Sequence, residues 1–105
     1  MVIRRATVGL AALLLAAHAR AAEVHASIDD FTFSPAVLTI APGTTVIWTN
    51  RDEVPHTVTD AAHPHELHSP ALDTGESYGR AFPKAGTYPY FCSLHPDMQG
   101  KVVVK

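Results

Sequence analysis

The residues best suited to chemistry lie near the end of the chain, in the segment Cys92-Ser93-Leu94-His95-Pro96-Asp97-Met98. Three of its side chains can bind a metal: the thiolate of Cys92, the imidazole of His95 and the thioether of Met98. They occupy every third position of a short loop that contains proline, so all three can converge on one ion. These donors together select copper among the common metals, and two histidines with one cysteine and a distant axial methionine form sites used for electron transfer.

Such a site needs a second histidine, and His56 is the best candidate. The segment Val54-Pro55-His56 follows a polar turn and opens a predicted strand. A histidine in this position would be fixed at one end of a β-sandwich, far in sequence from Cys92. We therefore predict a metal site formed by His56, Cys92, His95 and Met98.

Three further histidines, His63, His65 and His68, lie close together and could chelate copper or zinc by themselves. They belong to a long polar loop outside the two predicted ligand segments, and such loops are usually exposed and mobile. We interpret this group as a solvated loop that electron transfer does not need and that binds a second ion weakly at most.

The elements that must position the donors are β-strands. Apolar and polar residues alternate in short runs between turn signals, and the chain after residue 21 lacks sustained helical periodicity. Strands are expected at residues 24–28, 37–40, 45–49, 57–59, 76–82, 87–92 and 101–105, with a loop rich in His and Pro at 60–73. Short strands at such intervals are typical of a sandwich or barrel, here as one domain with Trp48 in its core.

The first 21 residues have the pattern of a secretory signal peptide. Residues 1–5 are basic, residues 6–17 form an uncharged apolar run, and Ala19-Arg20-Ala21 supplies a cleavage site of the small-x-small kind. The apolar run is shorter than the roughly 20 residues that a membrane span requires. We therefore predict a signal peptide at 1–21, a single domain at 22–105, and export to the periplasm without a membrane span.

The charge of the predicted mature chain excludes some partners. After residue 21, five Lys and Arg stand against ten Asp and Glu, which gives a formal charge of −5. An acidic chain without a basic stripe is unsuited to nucleic acid. Cys92 is the one cysteine of the sequence, so it cannot form an internal disulfide, and in an oxidising compartment its thiol needs burial or a metal.

Motifs along nearly the whole mature chain resemble those of the cupredoxins, or type 1 blue-copper proteins, and most closely their amicyanin and pseudoazurin-like members. The motifs are Phe33-Ser34-Pro35, residues 43–50, Pro55-His56-Thr57, residues 86–92, the ligand loop and residues 100–104. The two-residue gaps on either side of His95 are similar to the short loop of amicyanin. The resemblance implies an all-β Greek-key sandwich that binds one copper, cycling between Cu(I) and Cu(II).

The resemblance also implies roles for individual residues and for the protein. His56, Cys92 and His95 would be equatorial ligands, Met98 the axial ligand, and Asn50 a residue that holds the two ligand segments together. The protein would be a monomeric electron carrier, not an enzyme, that connects a redox enzyme such as an amine dehydrogenase with a cytochrome c. The alternative is a protein that delivers or sequesters copper. A hydrolase with Cys92 as nucleophile lacks a supporting motif.

Three positions depart from the amicyanin pattern. Thr57 stands where Asn is usual and would weaken the clamp between the ligand segments. Asp97 adds a charge to an apolar loop, and Pro89 predicts an edge or an unpaired position in its strand. We expect His95 to be the port through which the electron leaves, in a surface formed by Val54, Pro55, Leu94 and Pro96.

Overall fold

The computed structural model describes residues 22–62 and 66–105, which form a sandwich of two four-stranded sheets. The strands are β1 (Glu23–Asp29), β2 (Thr32–Ser34), β3 (Val37–Ile40), β4 (Thr44–Asn50), β5 (Thr59–Asp60), β6 (Ser77–Phe82), β7 (Gly86–Phe91) and β8 (Gln99–Val104). One sheet has the order β2-β1-β4-β6 and the other β3-β8-β7-β5. The predicted all-β sandwich is confirmed. The predicted signal peptide, residues 1–21, lies outside the described residues.

The core lies between the two sheets, and β4 shows how the sequence fills it. Alternate residues of this strand are buried, from Thr44 through Val46 and Trp48 to Asn50, as the period of two in a strand requires. Trp48 is fully buried, as predicted for a core residue. Its indole Nε1 donates a hydrogen bond of 3.2 Å to the hydroxyl of Tyr90, which joins the two sheets through the core.

Six of the seven expected strands differ from the observed ones by one or two residues at an end, and one strand was missed. The strand expected at 57–59 is the short β5, and β2 was not predicted. In the β1–β2 hairpin, Asp29 pairs with Thr32, so Asp30 and Phe31 alone form the turn, with φ of 54° and 56°. Turns of this type normally contain Asn-Gly or Asp-Gly. Asp-Phe is not such a signal, so the hairpin could not be expected from the residues of its turn.

Pro89 lies in β7, which is an interior strand and not an edge. It pairs with Lys101 of β8, and on the other side its carbonyl accepts a hydrogen bond of 2.9 Å from the amide of Ala61, just beyond the end of β5. The proline nitrogen therefore faces a position where the neighbouring strand has ended. Of the two predicted alternatives, an edge or an unpaired position, the structure shows the second, because β7 is an interior strand.

Gly100 is required by the close approach of Tyr90. A Cβ added to Gly100 would lie 2.6 Å from both Cζ and the hydroxyl oxygen of Tyr90. The Tyr90 ring cannot easily yield, because it is 1% exposed, is bonded to Trp48 and packs edge-on against Phe33 at 4.8 Å. The glycine thus makes room for the aromatic ring that links the sheets.

We expect Gly100→Ala to lower the free energy of unfolding by about 1–3 kcal/mol, because the added methyl overpacks the core. Chemical denaturation of the two proteins measures this difference. Gly79→Ala is the matched control, since its Cβ would meet its nearest neighbour, Ile47, at an ordinary 3.6 Å. Equal losses in the two variants would show that the contact with Tyr90 is not the cause.

Within the described ranges, no helix has the length and hydropathy needed to cross a bilayer.

Candidate metal centre

The predicted donors meet at one end of the sandwich, on segments that leave different strands. His56 lies between β4 and β5 and forms an isolated bridge with Leu72. Cys92 directly follows β7, and His95 and Met98 lie on the loop that leads to β8. The register of β7 with β8 places the end of β7 beside the beginning of β8, and the bonds of Thr57 with Cys92 and Ser93 bring the segment after β4 to the same end of the molecule. Donors separated widely in sequence therefore become neighbours.

The three nitrogen and sulfur donors fit a single ion. The Sγ of Cys92 lies 3.7 Å from Nδ1 of His56 and 3.7 Å from Nδ1 of His95, and all three donor atoms lie within 4.8 Å of one another. A metal about 2.0 Å from each nitrogen and about 2.3 Å from the sulfur, in trigonal geometry, would place nitrogen and sulfur about 3.7 Å apart. His56 and Cys92 are fully buried and His95 is partly buried. The cluster can therefore hold one metal and keep it mostly out of water.

The ligand loop is held in a tight conformation by its own backbone. The amide of His95 donates to the carbonyl of Cys92 at 3.2 Å, the amide of Met98 donates to the carbonyl of His95 at 3.0 Å, and the amide of Cys92 donates to the carbonyl of Met98 at 3.1 Å. Met98 is 6% exposed. These bonds fix the spacing of the donors before any metal binds, which lowers the cost of assembling the site.

Thr57 connects the two ligand segments. Its amide donates to the Sγ of Cys92 at 3.3 Å, and its hydroxyl oxygen accepts the amide of Ser93 at 2.8 Å and pairs with the Ser93 hydroxyl at 2.8 Å. The expectation that Thr57 weakens this clamp is not supported, because the threonine hydroxyl makes the connection itself.

Asn50 has a different role from the one that the resemblance implied. Its Nδ2 donates to the carbonyls of Val54 and Leu72, at 2.9 and 2.8 Å, and its Oδ1 accepts the amide of Asp52 at 2.9 Å. These bonds fix the segment that leads to His56 and attach it to the chain at Leu72. The link to the Cys92 loop comes from Thr57 instead.

Sequence reasoning missed Asp52, which orients the first histidine. Its Oδ2 lies 2.8 Å from Nε2 of His56, so Nε2 carries the proton and the Nδ1 lone pair faces the cluster. Burial raises the pKa of Asp52, but hydrogen bonds from the amides of Phe31 and Asp30 and from His56 outweigh that effect and hold the pKa below its ordinary value. A carboxylate four residues before a predicted ligand was the signal available in the sequence.

Phe31 was also missed, and it lies on the outside of the cluster. Its ring meets the rings of His56 and His95 edge-on, with centroid distances of 5.2 and 5.0 Å. Phe31 is 49% exposed, as is Leu94, and Val54 is 36% exposed. We call Phe31, Val54 and Leu94 the apolar face; Phe31 and Leu94 line the same groove as the partly buried His95.

Of the other histidine group, the structure describes only His68, which is not part of the cluster. His68 is exposed, forms a bridge with Thr59, and its amide donates to the hydroxyl of Tyr78 at 3.2 Å. His63 and His65 lie outside the described residues. The possible role of these three side chains in binding a second ion stays a prediction.

A sandwich with a thiolate and two imidazoles converging at one end is the arrangement of a type 1 copper protein. Residues 20–105 match the family of copper binding proteins described as plastocyanin/azurin. Amicyanin-alpha of Methylorubrum extorquens is 36% identical over 105 residues, which cover 95% of this chain and 88% of the relative. The chloroplastic plastocyanin of Tetradesmus obliquus is 38% identical over 117 residues, which cover 99% of this chain and 81% of the relative.

Solved structures give the same result. The reduced form of a tryptophan-to-tyrosine variant of amicyanin superposes with a TM-score of 0.74 at 33% identity, covering 86% of this chain and 88% of that structure. A purple cupredoxin from Nitrosopumilus maritimus superposes with a TM-score of 0.70 at 34% identity, covering 78% and 99%. The chain belongs to the plastocyanin/azurin family of copper-binding proteins, as an amicyanin-like cupredoxin. Its cofactor is copper, and it is a copper electron carrier.

Proposed function

We propose that this protein is an exported, periplasmic carrier of one electron, with His56, Cys92 and His95 as equatorial copper ligands and Met98 as the weak axial ligand. The observation that supports the proposal is the pair of 3.7 Å distances that join the Cys92 sulfur to the two histidine nitrogens. A copper ion held by these residues would supply the redox chemistry through its Cu(I) and Cu(II) states. The protein holds the donors in place through the bonds of Thr57, Asn50 and Asp52.

The surface above His95 suits brief contact with another protein. Phe31 lies against the two histidine rings and Leu94 lines the same groove as His95, so a partner can approach this apolar surface without removing water from charged groups. Transient redox complexes bury little surface, typically under about 1,200 Å². Oxidation and reduction then proceed through the partly buried His95, the predicted port, while Cys92 stays enclosed.

Charge is distributed unevenly between the two ends of the sandwich. From the register, seven of the ten acidic residues lie at the metal end: Asp29, Asp30, Asp52, Glu53, Asp73, Glu76 and Asp97. Of the basic residues that the structure describes, Arg51 lies at that end, whereas Lys84 and Lys105 lie at the opposite one. A basic partner would therefore be steered toward the apolar face.

We infer that the partners are redox proteins, with a cytochrome c as acceptor and an amine dehydrogenase or another periplasmic oxidoreductase as donor. Its amicyanin relatives and the acidic metal end support this choice. The carrier would act as a monomer and not as an enzyme. Delivery or sequestration of copper is the alternative; it predicts that copper passes to an acceptor apoprotein, whereas a carrier keeps its copper through repeated cycles of oxidation and reduction.

The docking assignment predicts that Leu94→Glu slows electron transfer to a basic cytochrome c by about tenfold or more, since a charge in a desolvated contact costs on the order of several kcal/mol. Val37→Glu is the matched control, because Val37 is 50% exposed but lies on β3, outside the apolar face. Stopped-flow mixing measures both rates, and the visible spectrum checks that both variants hold copper. Equal rates for the two variants would place the port elsewhere.

The same assay tests the electrostatic part of the proposal. The wild-type rate should fall as ionic strength rises, because salt screens the attraction between exposed charges. Asp97→Lys should lower the rate at low salt and flatten its salt dependence. A rate independent of salt in the wild type would contradict steering by the acidic end.

A further inference from the structure

Phe31 holds an unusual place beside the candidate copper ligands. Three rings form a triangle: those of Phe31, His56 and His95. The centroid of the Phe31 ring lies 5.2 Å from that of His56 and 5.0 Å from that of His95, and the two histidine centroids are 4.9 Å apart. Phe31 is the outermost of the three. An open groove of about 550 Å³ begins at its ring and is lined by Phe31, Leu94, His95, Pro96, Asp97 and Met98. Solvent space therefore reaches the phenyl ring, and the ring lies between that space and His56.

The backbone accepts an unfavourable conformation to put the ring there. Asp30 and Phe31 both have positive φ, 54° and 56°, a region where a bulky residue is a clear outlier. Glycine would form the same two-residue turn without strain. Residues held in such conformations persist where the surrounding structure fixes them, and they occur preferentially at functional sites. The feature that glycine would not supply is the phenyl ring.

Asp52 is the group that fixes this turn. Its Oδ1 accepts the amide of Asp30 at 2.6 Å, and its Oδ2 accepts the amide of Phe31 at 2.9 Å. The same Oδ2 lies 2.8 Å from Nε2 of His56. One carboxylate oxygen therefore sets both the place of Phe31 and the orientation of a candidate copper ligand, so the phenyl ring and the imidazole are aligned together.

We propose that Phe31 is a cover over the copper centre that closes the outer side between His56 and His95 to small ligands, and that Asp52 is the positioning residue that holds it. The cover lets a protein surface make contact across the apolar face, but it excludes anions and chelators that would bind the copper directly. This inference rests on the proposed ligand set. It explains why the strained Asp-Phe turn is present where an unstrained turn would complete the hairpin.

The experiment compares Phe31→Gly, Phe31→Leu and Asp52→Asn with the wild type and with Val37→Ala, a control that removes an apolar side chain of similar exposure from β3, outside the groove at Phe31. Two measurements are made on the Cu(II) proteins: a titration with azide followed by visible absorption, and the rate of copper loss to excess EDTA. The third measurement is the thermal unfolding midpoint of the copper-free proteins.

We expect Phe31→Gly to bind azide and to lose copper about tenfold faster than the wild type, an effect of the size seen when groups around metal ligands are removed. Its copper-free form should unfold at the wild-type temperature or above, because glycine relieves the strained turn. Phe31→Leu should stay within about threefold of the wild type, since its side chain still fills the place of the ring. Val37→Ala should match the wild type in all three measurements.

If Asp52 acts by holding Phe31, Asp52→Asn should also admit azide. The double variant Asp52→Asn/Phe31→Gly should then show an effect smaller than the sum of the two single effects. Additive effects would overturn the positioning role. A blue wild type whose Phe31→Gly variant excludes azide and retains copper would overturn the cover alone. A wild type that never develops the blue spectrum would instead overturn the proposed ligand set.

Discussion

The Cu(II) protein is expected to lose its intense blue colour completely when Cys92 is replaced by Ser. The colour of a type 1 centre depends on a bond between copper and a thiolate, and an alcohol is a harder donor that does not replace it. The fold should survive, because the side chains have similar size and the amide of Thr57, now 3.3 Å from the sulfur, can donate to a serine oxygen. Visible absorption and EPR follow the centre, and circular dichroism follows the fold.

His68→Ala is the control for this experiment, since it removes a histidine that lies outside the cluster and should leave the colour unchanged. Blue colour retained in Cys92→Ser would mean that the thiolate is not a ligand, and the assignment of the whole set would be wrong. Loss of colour in His68→Ala would instead show that the loop of histidines takes part in the site, which would favour the copper-handling alternative.

The second large effect is expected for Asn50→Ala. Asn50 is fully buried, and its side chain satisfies the carbonyls of Val54 and Leu72 and the amide of Asp52. Alanine would remove the side-chain partner of the Val54 carbonyl and of the Asp52 amide, while the Leu72 carbonyl would keep only its bond from the amide of His56. A buried group left unpaired costs about 1–3 kcal/mol. Because water can partly replace the lost amide, we expect a total loss of about 2–4 kcal/mol in the free energy of unfolding.

For a domain of this size that loss lowers the thermal midpoint by more than about 10 °C. Thr49→Ala is the matched control, because the neighbouring Thr49 bonds through its side chain to the exposed hydroxyl of Ser77. Its midpoint should change by only a few degrees. Similar midpoints for the two variants would show that the segment before His56 does not depend on Asn50.

The sequence was sufficient to predict the features that depend on local pattern. Alternation of apolar and polar residues located seven of the eight strands, because most inward positions are apolar and fill the core. The histidines and the cysteine that converge at one end were predicted from donor chemistry and from their place at strand ends. Such signals lie within a few neighbouring residues, which is the range over which a pattern in the sequence can be read.

The features that were missed depend on contacts between distant segments. The turn at Asp30 and Phe31 lacks a local signal, since it is stabilised by Asp52, which lies 22 and 21 residues away. The cover over the histidine rings follows from that same contact. Likewise, the clamp between the ligand segments was expected to be weak because Thr57 stands where Asn is usual. The clamp depends instead on the contact of Thr57 with Ser93 across the site.

The order of the strands also decides when the metal centre can first exist. In the second sheet β8 lies between β3 and β7, so this sheet remains in two separate parts until residues 99–104 have joined it. The loop with Cys92, His95 and Met98 is anchored by β7 before it and by β8 after it. Such distant pairings form late, because the long intervening chain must be ordered before they bring any gain. The complete donor set, with His56 beside the loop, therefore exists only once the chain has folded, so a chain that crosses a membrane unfolded would assemble this site at its destination.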